Sequence, residues 1–173
     1  MLEIINNLSL FFEDNYSEFG VREYSRLKKI SPPTASNNLK KYQAESLLVS
    51  RNFKNHILFK ASRSNLFNDL AKIYWKNKLN KIGLVNHILS KFPDAKILVF
   101  GSISKSEITL KSDLDLAIIS SFNQNLELKK YEQLLSREIQ VFLFDSIGNI
   151  SKNLKQNILS GFELNNYGSS HME

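Results

Sequence analysis

Asp113 and Asp115 stand two apart in the run Lys111-Ser112-Asp113-Leu114-Asp115-Leu116-Ala117-Ile118-Ile119. Read as a strand, that spacing puts both carboxylates on one face and turns Leu114 to the core. Carboxylates held so close repel one another unless a cation sits between them, so the pair suits Mg²⁺ or Mn²⁺. Upstream, the apolar run Ala95-Lys96-Ile97-Leu98-Val99-Phe100 reads as a buried strand that ends in Gly101-Ser102, eleven positions from Ser102 to Asp113. A glycine turn at a strand end offers backbone N–H groups, and here a hydroxyl, to a phosphate. A lone Asp-x-Asp is a weak signal, whereas strand, Gly-Ser, Asp-x-Asp and strand in that order is a strong one.

A sheet must hold these groups in place. Residues 96–101, 113–120, 138–144 and 162–167 have the patterns of its strands, and helices are expected around them. Ahead of the sheet, residues 64–81 read as a long helix with Leu66, Phe67, Leu70, Ile73, Tyr74 and Trp75 on one side. Gly83 interrupts it, and Leu84, Val85, Ile88, Leu89 and Phe92 form a further amphipathic segment that Pro93 ends. These helices bridge two domains and are more apolar than a free linker needs, which makes them a candidate homodimer seam.

The N-terminal third has a different character. Leu2, Ile5, Leu8 and Phe12 predict one amphipathic helix to about residue 13, followed by a polar break that ends at Gly20. Val21, Tyr24 and Leu27 mark a second helix. A third, over residues 33–44, follows the turn Ile30-Ser31-Pro32-Pro33 with Ser31 as N-cap. It is polar on most of its surface, held only by Ala35, Leu39 and Tyr42. Strand-like residues 46–50 and 56–60 then flank a basic tip, Arg51-Asn52-Phe53-Lys54-Asn55. The stretch REYSRLKKISPPTASNNLKKYQAESLLVSRNFKNHILFKAS resembles the small winged helix-turn-helix domains of prokaryotic regulators. That resemblance implies DNA binding: Thr34, Ser36, Asn37 and Lys40 as contacts of a helix in the major groove, and Arg51 and Lys54 as wing contacts to phosphate. By analogy with two-fold operators it also implies a homodimer. The alternative is a winged helix that binds protein, its polar helix merely solvated.

Composition sets the outer limits. The chain has 173 residues, 23 Lys plus Arg against 17 Asp plus Glu, and a net charge of +6. With 42% hydrophobic and 23% charged residues it is a folded chain rather than a disordered one. It has no cysteine, which removes disulfides and thiolate metal sites. His56, His87 and His171 are too scattered for a zinc site. No apolar run is long enough to cross a membrane, and the first residues lack the features of a signal peptide, so no membrane partner and a cytoplasmic location are expected. Residues 1–62 hold nine basic against six acidic residues and residues 63–95 six against two, while residues 96–173 hold eight against nine. The first half therefore suits a polyanion.

VFGSISKSEITLKSDLDLAII resembles the signature of the nucleotidyltransferase superfamily with the polymerase-beta-like fold, in particular its minimal prokaryotic members. SNLFNDLAKIYWKNKLNKIGLVNHILSKFPDAKILVFGS and NLKQNILSGFELNNYG are similar to the preceding helices and closing elements of archaeal proteins that join a winged helix to such a domain. The resemblance thus spans nearly the whole chain apart from residues 169–173. It implies attack of a hydroxyl on the α-phosphate of an NTP such as ATP, with release of pyrophosphate and two metals clamping the reacting oxygens. Carried onto this chain, it implies Asp113 and Asp115 as holders of Mg²⁺ or Mn²⁺. Gly101 and Ser102 would hold the β- and γ-phosphates, with Lys105 beside them. Minimal members commonly act beside a small helical toxin-type protein partner.

Two positions depart from that pattern. Ser106 stands where the family has a glycine, and Gln140 stands where a third carboxylate is expected. An amide can neither take a proton from the attacking hydroxyl nor give a metal full negative charge. Glu138 shares the expected strand face with Gln140, two residues or ~7 Å away.

The sequence therefore predicts an α+β chain: a winged helix-turn-helix over residues 1–62, then a nucleotidyltransferase-like domain over 63–173 with a small mixed sheet flanked by helices. Within the latter, residues 63–95 are linking helices and 96–168 the sheet and its helices. Two functions compete. One is an active nucleotidyltransferase acting on a protein or nucleic-acid acceptor. The other is a DNA-binding regulator, antitoxin-like, whose transferase fold senses NTP or docks a partner.

Overall fold

The structure is a computed structural model and describes residues 3–165. It is a mixed α+β molecule with helices and two small sheets. The chain divides into two compact units, one of residues up to Tyr74 together with Ser106–Leu110, the other of Trp75–Lys105 and the residues from Lys111 onward.

In the first unit the opening helix is two short ones, α1 (Glu3–Asn7) and α2 (Ser9–Glu13), instead of the single helix that the periodicity predicts. Ile5, Leu8, Phe11 and Phe12 are all buried, and the interruption falls at Leu8, whose backbone has φ −82° and ψ 0°. A two-residue strand that the sequence pattern does not reveal, β1 (Phe19–Gly20), precedes α3 (Val21–Lys28). α4 (Pro32–Ala44) begins where the capping signals lie: the Ser31 hydroxyl accepts the Thr34 N–H at 3.2 Å, and prolines fill the first turn. Ala35, Leu39 and Tyr42, spaced for one face, are its buried residues. β2 (Leu48–Phe53) and β3 (His56–Ala61) form an antiparallel hairpin whose register pairs Phe53 with His56. The basic tip is therefore shorter than residues 51–55. Arg51, Asn52 and Phe53 are in the strand, and only Lys54 (φ 44°) and Asn55 (φ 64°) make the turn. Left-handed values at both central residues match the right-handed twist of the strands. The sheet order is β1-β3-β2. Within this unit Asn15, buried, donates its N–H to the Ile108 carbonyl at 2.9 Å and accepts the Ile108 N–H on its side chain at 3.0 Å.

The boundary between the units falls inside α5 (Asn65–Lys81). In the second unit α6 (Leu84–Lys91) leads to β4 (Lys96–Phe100), α7 (Gly101–Ser104), β5 (Leu114–Ile119), α8 (Lys129–Leu135) and β6 (Ile139–Phe144). A 3₁₀ turn at Ile147–Asn149, α9 (Lys152–Leu159) and β7 (Phe162–Glu163) complete it. The sheet order is β6-β5-β4-β7, with β5 and β6 parallel and the other pairs antiparallel, so the sheet is mixed as expected. Leu116, Ala117 and Ile118 in succession are fully buried, which a central strand achieves only when both faces are covered. One face carries the cluster Leu98, Phe100, Ala117, Ile150 and Ile158. Beyond β7 the Leu164 N–H still donates to the Ile97 carbonyl at 2.9 Å. The expected strand residues 166 and 167 lie outside the described residues, as does Leu2.

Candidate functional site

β4 and β5 bring the two sequence motifs together. Their pairing sets Phe100 opposite Asp115, and the next residue, Gly101, lies against the Asp115 side chain. A Cβ on Gly101 would stand 2.0 Å from Asp115 Oδ2 and 3.0 Å from Cγ, and the backbone there has φ +70°. Only glycine permits both the left-handed turn and this approach. The turn closes on itself: the Gly101 carbonyl accepts the Ser104 hydroxyl at 2.9 Å and the Lys105 N–H at 3.3 Å. Ser102, half-buried, is the second residue of that turn. Lys105 directs its Nζ to Asn157 Oδ1 at 3.3 Å. Ser106 takes φ +52°, the conformation that glycine adopts freely and that costs a serine about 1 kcal/mol.

β6 adds the next group. Parallel pairing sets Gln140 opposite Asp115, and Gln140 Nε2 donates to Asp113 Oδ2 at 2.7 Å. Gln140 thus stands at the carboxylate pair, giving Asp113 a donor where a carboxylate would add charge. Glu138 is exposed. Its backbone carbonyl accepts the Leu114 N–H at 2.9 Å, and no hydrogen bond or ion pair among the described residues joins its carboxylate to the pair. Asp115 is held above the ordinary carboxylate range, first by burial and second by the charge of Asp113. Two carboxylates and an amide oxygen are hard donors of the kind Mg²⁺ takes. Among the described residues no three His, Cys, Asp or Glu side chains gather as a metal-holding group.

Arg137 also serves this segment, a role that no local pattern announces. It is 7% exposed, its Nη1 donates to the Ser112 carbonyl at 2.8 Å, and its guanidinium carbon stands 5.5 Å over the Trp75 ring. An arginine just before a strand ordinarily reads as solvated charge.

The residues expected to meet DNA lie on the first unit. On α4, Asn37 and Lys40 are exposed and Ser36 is half-buried, while the Thr34 hydroxyl is 2.8 Å from that of Ser31. On the hairpin, Arg51 is gripped by Glu18, Nε to Oε1 at 2.8 Å and Nη2 to Oε2 at 2.5 Å. Arg51 and Lys54 also stand 5.1 and 5.4 Å from the Phe53 ring centre. Glu18 therefore competes with any phosphate for Arg51.

Residues 82–164, which lie in the second unit and hold the Gly-Ser and Asp-x-Asp motifs, match the family model described as a nucleotidyltransferase domain. No curated protein matches the chain. Among solved structures, the chain is similar to that of Lactococcus lactis ZitR, C30AH42A mutant, at 18% identity and a TM-score of 0.39. The match covers 54% of this chain and 64% of that one, less than two thirds, and a likeness so slight carries no functional meaning. No helix among the described residues is long and apolar enough to cross a membrane.

Proposed function

We propose that the second unit binds a magnesium–nucleoside triphosphate at Gly101, Ser102, Asp113 and Asp115, in a cytoplasmic regulator whose first unit is a winged helix that binds DNA. The observation that carries the nucleotide reading is the contact of the Gly101 backbone with the Asp115 carboxylate, which leaves no room for a Cβ. It sets a phosphate-facing turn directly beside a pair of cation-seeking oxygens. The donor set fits Mg²⁺ or Mn²⁺, because a cation offsets both the burial and the Asp113 charge that raise Asp115. Asp113 and Asp115 would hold it, and when bound it would neutralise charge on the triphosphate. Gly101 and Ser102 face the β- and γ-phosphates. Lys105, which gives one of its three N–H donors to Asn157, would join them with another. Calorimetric titration with ATP in Mg²⁺ tests the reading: saturable, Mg²⁺-dependent binding is expected, and no heat from the wild type overturns it.

The Gln140–Asp113 hydrogen bond favours regulation over transfer. A transferase must remove the proton of the acceptor hydroxyl as it attacks, and Gln140 cannot take it. The nucleotide then acts as a signal, and a protein partner such as a small helical toxin, or a second copy of the chain, is the receiver. Gln140→Asp is expected to raise Mn²⁺ affinity about tenfold and to lower the Tm of the metal-free protein, since a third negative charge joins the pair. It should also speed any transfer of labelled nucleotide from ATP to an acceptor. Unchanged affinity would mean that the amide is not what limits the site.

For the first unit, Lys40, Arg51 and Lys54 support DNA binding through phosphate contact. Arg51→Ala with Lys54→Ala should weaken binding to every duplex and reduce the slope of log K against log salt by about 2. Glu18→Gln should do the reverse by releasing Arg51. Equal affinities and slopes in all three proteins would remove the hairpin from the interface.

A further inference from the structure

We infer that Arg137 is a positioning residue for the nucleotide site: its buried guanidinium, held over Trp75, fixes the Ser112 carbonyl and so aims the Asp113 carboxylate. The inference rests on the nucleotide reading above and says how this chain keeps its site in shape.

Asp113 lies just outside the ladder, which begins with Leu114 opposite Ile139. Strand pairing therefore does not fix its backbone. Three consecutive residues are held instead by the segment that enters β6: Ser112 through its carbonyl to Arg137, Asp113 through its carboxylate to Gln140, and Leu114 through its N–H to the Glu138 carbonyl. Of the three, the Arg137 bond is the one made to the peptide that leads into Asp113. Gln140 reaches the mobile end of the side chain, and the Leu114 bond acts after it.

The choice of arginine at this place is specific. Burying a cation sacrifices several kcal/mol of hydration, and a methionine would fill the same space against Trp75 without that cost. The indole face and the Ser112 carbonyl offset the loss. They do so only for a planar fork that stacks and donates at once, which lysine cannot copy. A rigid support of this kind around a metal ligand typically governs affinity by about 10–100-fold.

The test uses the full chain in four forms: wild type, Arg137→Lys, Arg137→Met and Asp113→Ala. Mn²⁺ titration followed by electron paramagnetic resonance gives the metal Kd, and a thermal melt gives Tm. The expected result is a Kd raised about 10–100-fold in both arginine variants, with the Tm of Arg137→Lys close to that of the wild type. A purely structural arginine would not separate the two readouts in that way. A folded Arg137→Lys or Arg137→Met protein with the wild-type Kd overturns the inference.

Failure of the underlying nucleotide reading looks different: the wild type takes up no Mn²⁺ at all, and both fall together.

Discussion

Replacing Asp113 and Asp115 together by alanine is expected to weaken Mg²⁺-dependent ATP binding by about 100-fold or more, ~2.7 kcal/mol, while the metal-free protein melts at a higher temperature than the wild type. The two effects share one cause. Asp115 is half-buried and faces the charge of Asp113, and both conditions disfavour its ionised form. Without a cation the ionised Asp115 is disfavoured where it stands, and on the proposed reading a bound cation would relieve that. The same logic sets the pH dependence. The folded protein holds a proton on Asp115 above the ordinary value of about 3.8. Stability contributed by this group is therefore full below that value and lost as pH rises through the raised one. Mg²⁺ affinity runs the other way, falling as the pH drops through the same window because protons compete for the carboxylate. Calorimetry at several pH values with parallel melts measures both. A double variant that still binds Mg–ATP, or that melts lower than wild type without metal, would break the link between repulsion and ligation.

Gly101→Ala should have the second-largest effect, for steric reasons. At φ +70° an alanine costs about 1 kcal/mol, and its methyl would stand 2.0 Å from Asp115 Oδ2. Something must yield, and the carboxylate can move more readily than β4 or β5. Asp115 then leaves the position it shares with Asp113. The expected outcome is a loss of about 2–4 kcal/mol of stability, a Tm lower by roughly 5–15 °C, and ATP affinity reduced about 100-fold in Mg²⁺. Gly83 serves as the control: it also has positive φ, but a Cβ there meets nothing within 4 Å. Gly83→Ala should lose only the conformational term and keep its nucleotide affinity. If Gly101→Ala bound Mg–ATP like the wild type, the closeness of turn and carboxylate would have no bearing on ligand binding.

These expectations mark where local sequence was informative and where it stopped. The Asp113/Asp115 spacing and the Gly101-Ser102 turn could be read directly, because side-chain alternation and the need for glycine at a sharp strand end are properties of a few neighbouring residues. The cap at Ser31 was legible for the same reason. The opening helix was not: Leu2, Ile5, Leu8 and Phe12 give one continuous period, yet burial of Phe11 beside Phe12 goes with a break at Leu8 that no local rule announces. β1 was missed because two residues carry no period, and it exists only by pairing with Phe59 and Leu58 of β3.

The sequence by itself determined the faces of elements: that Leu114 is buried between two carboxylates, which residues of α4 are buried, and that a mixed α+β chain results. The tertiary structure alone decided which faces meet. Gln140 already stood at the expected third position, and parallel pairing of β5 with β6 set it opposite Asp115, where its amide donates to Asp113, a bond that no local pattern announces. Burial made Arg137 a support for Ser112, and the approach of Glu18 turned Arg51 from a free charge into a paired one. The physical reason is the range of the forces concerned. Periodicity and turn chemistry act over a few residues, whereas strand register and the pairing of buried charge depend on partners tens of positions away, which only the closed fold brings into contact.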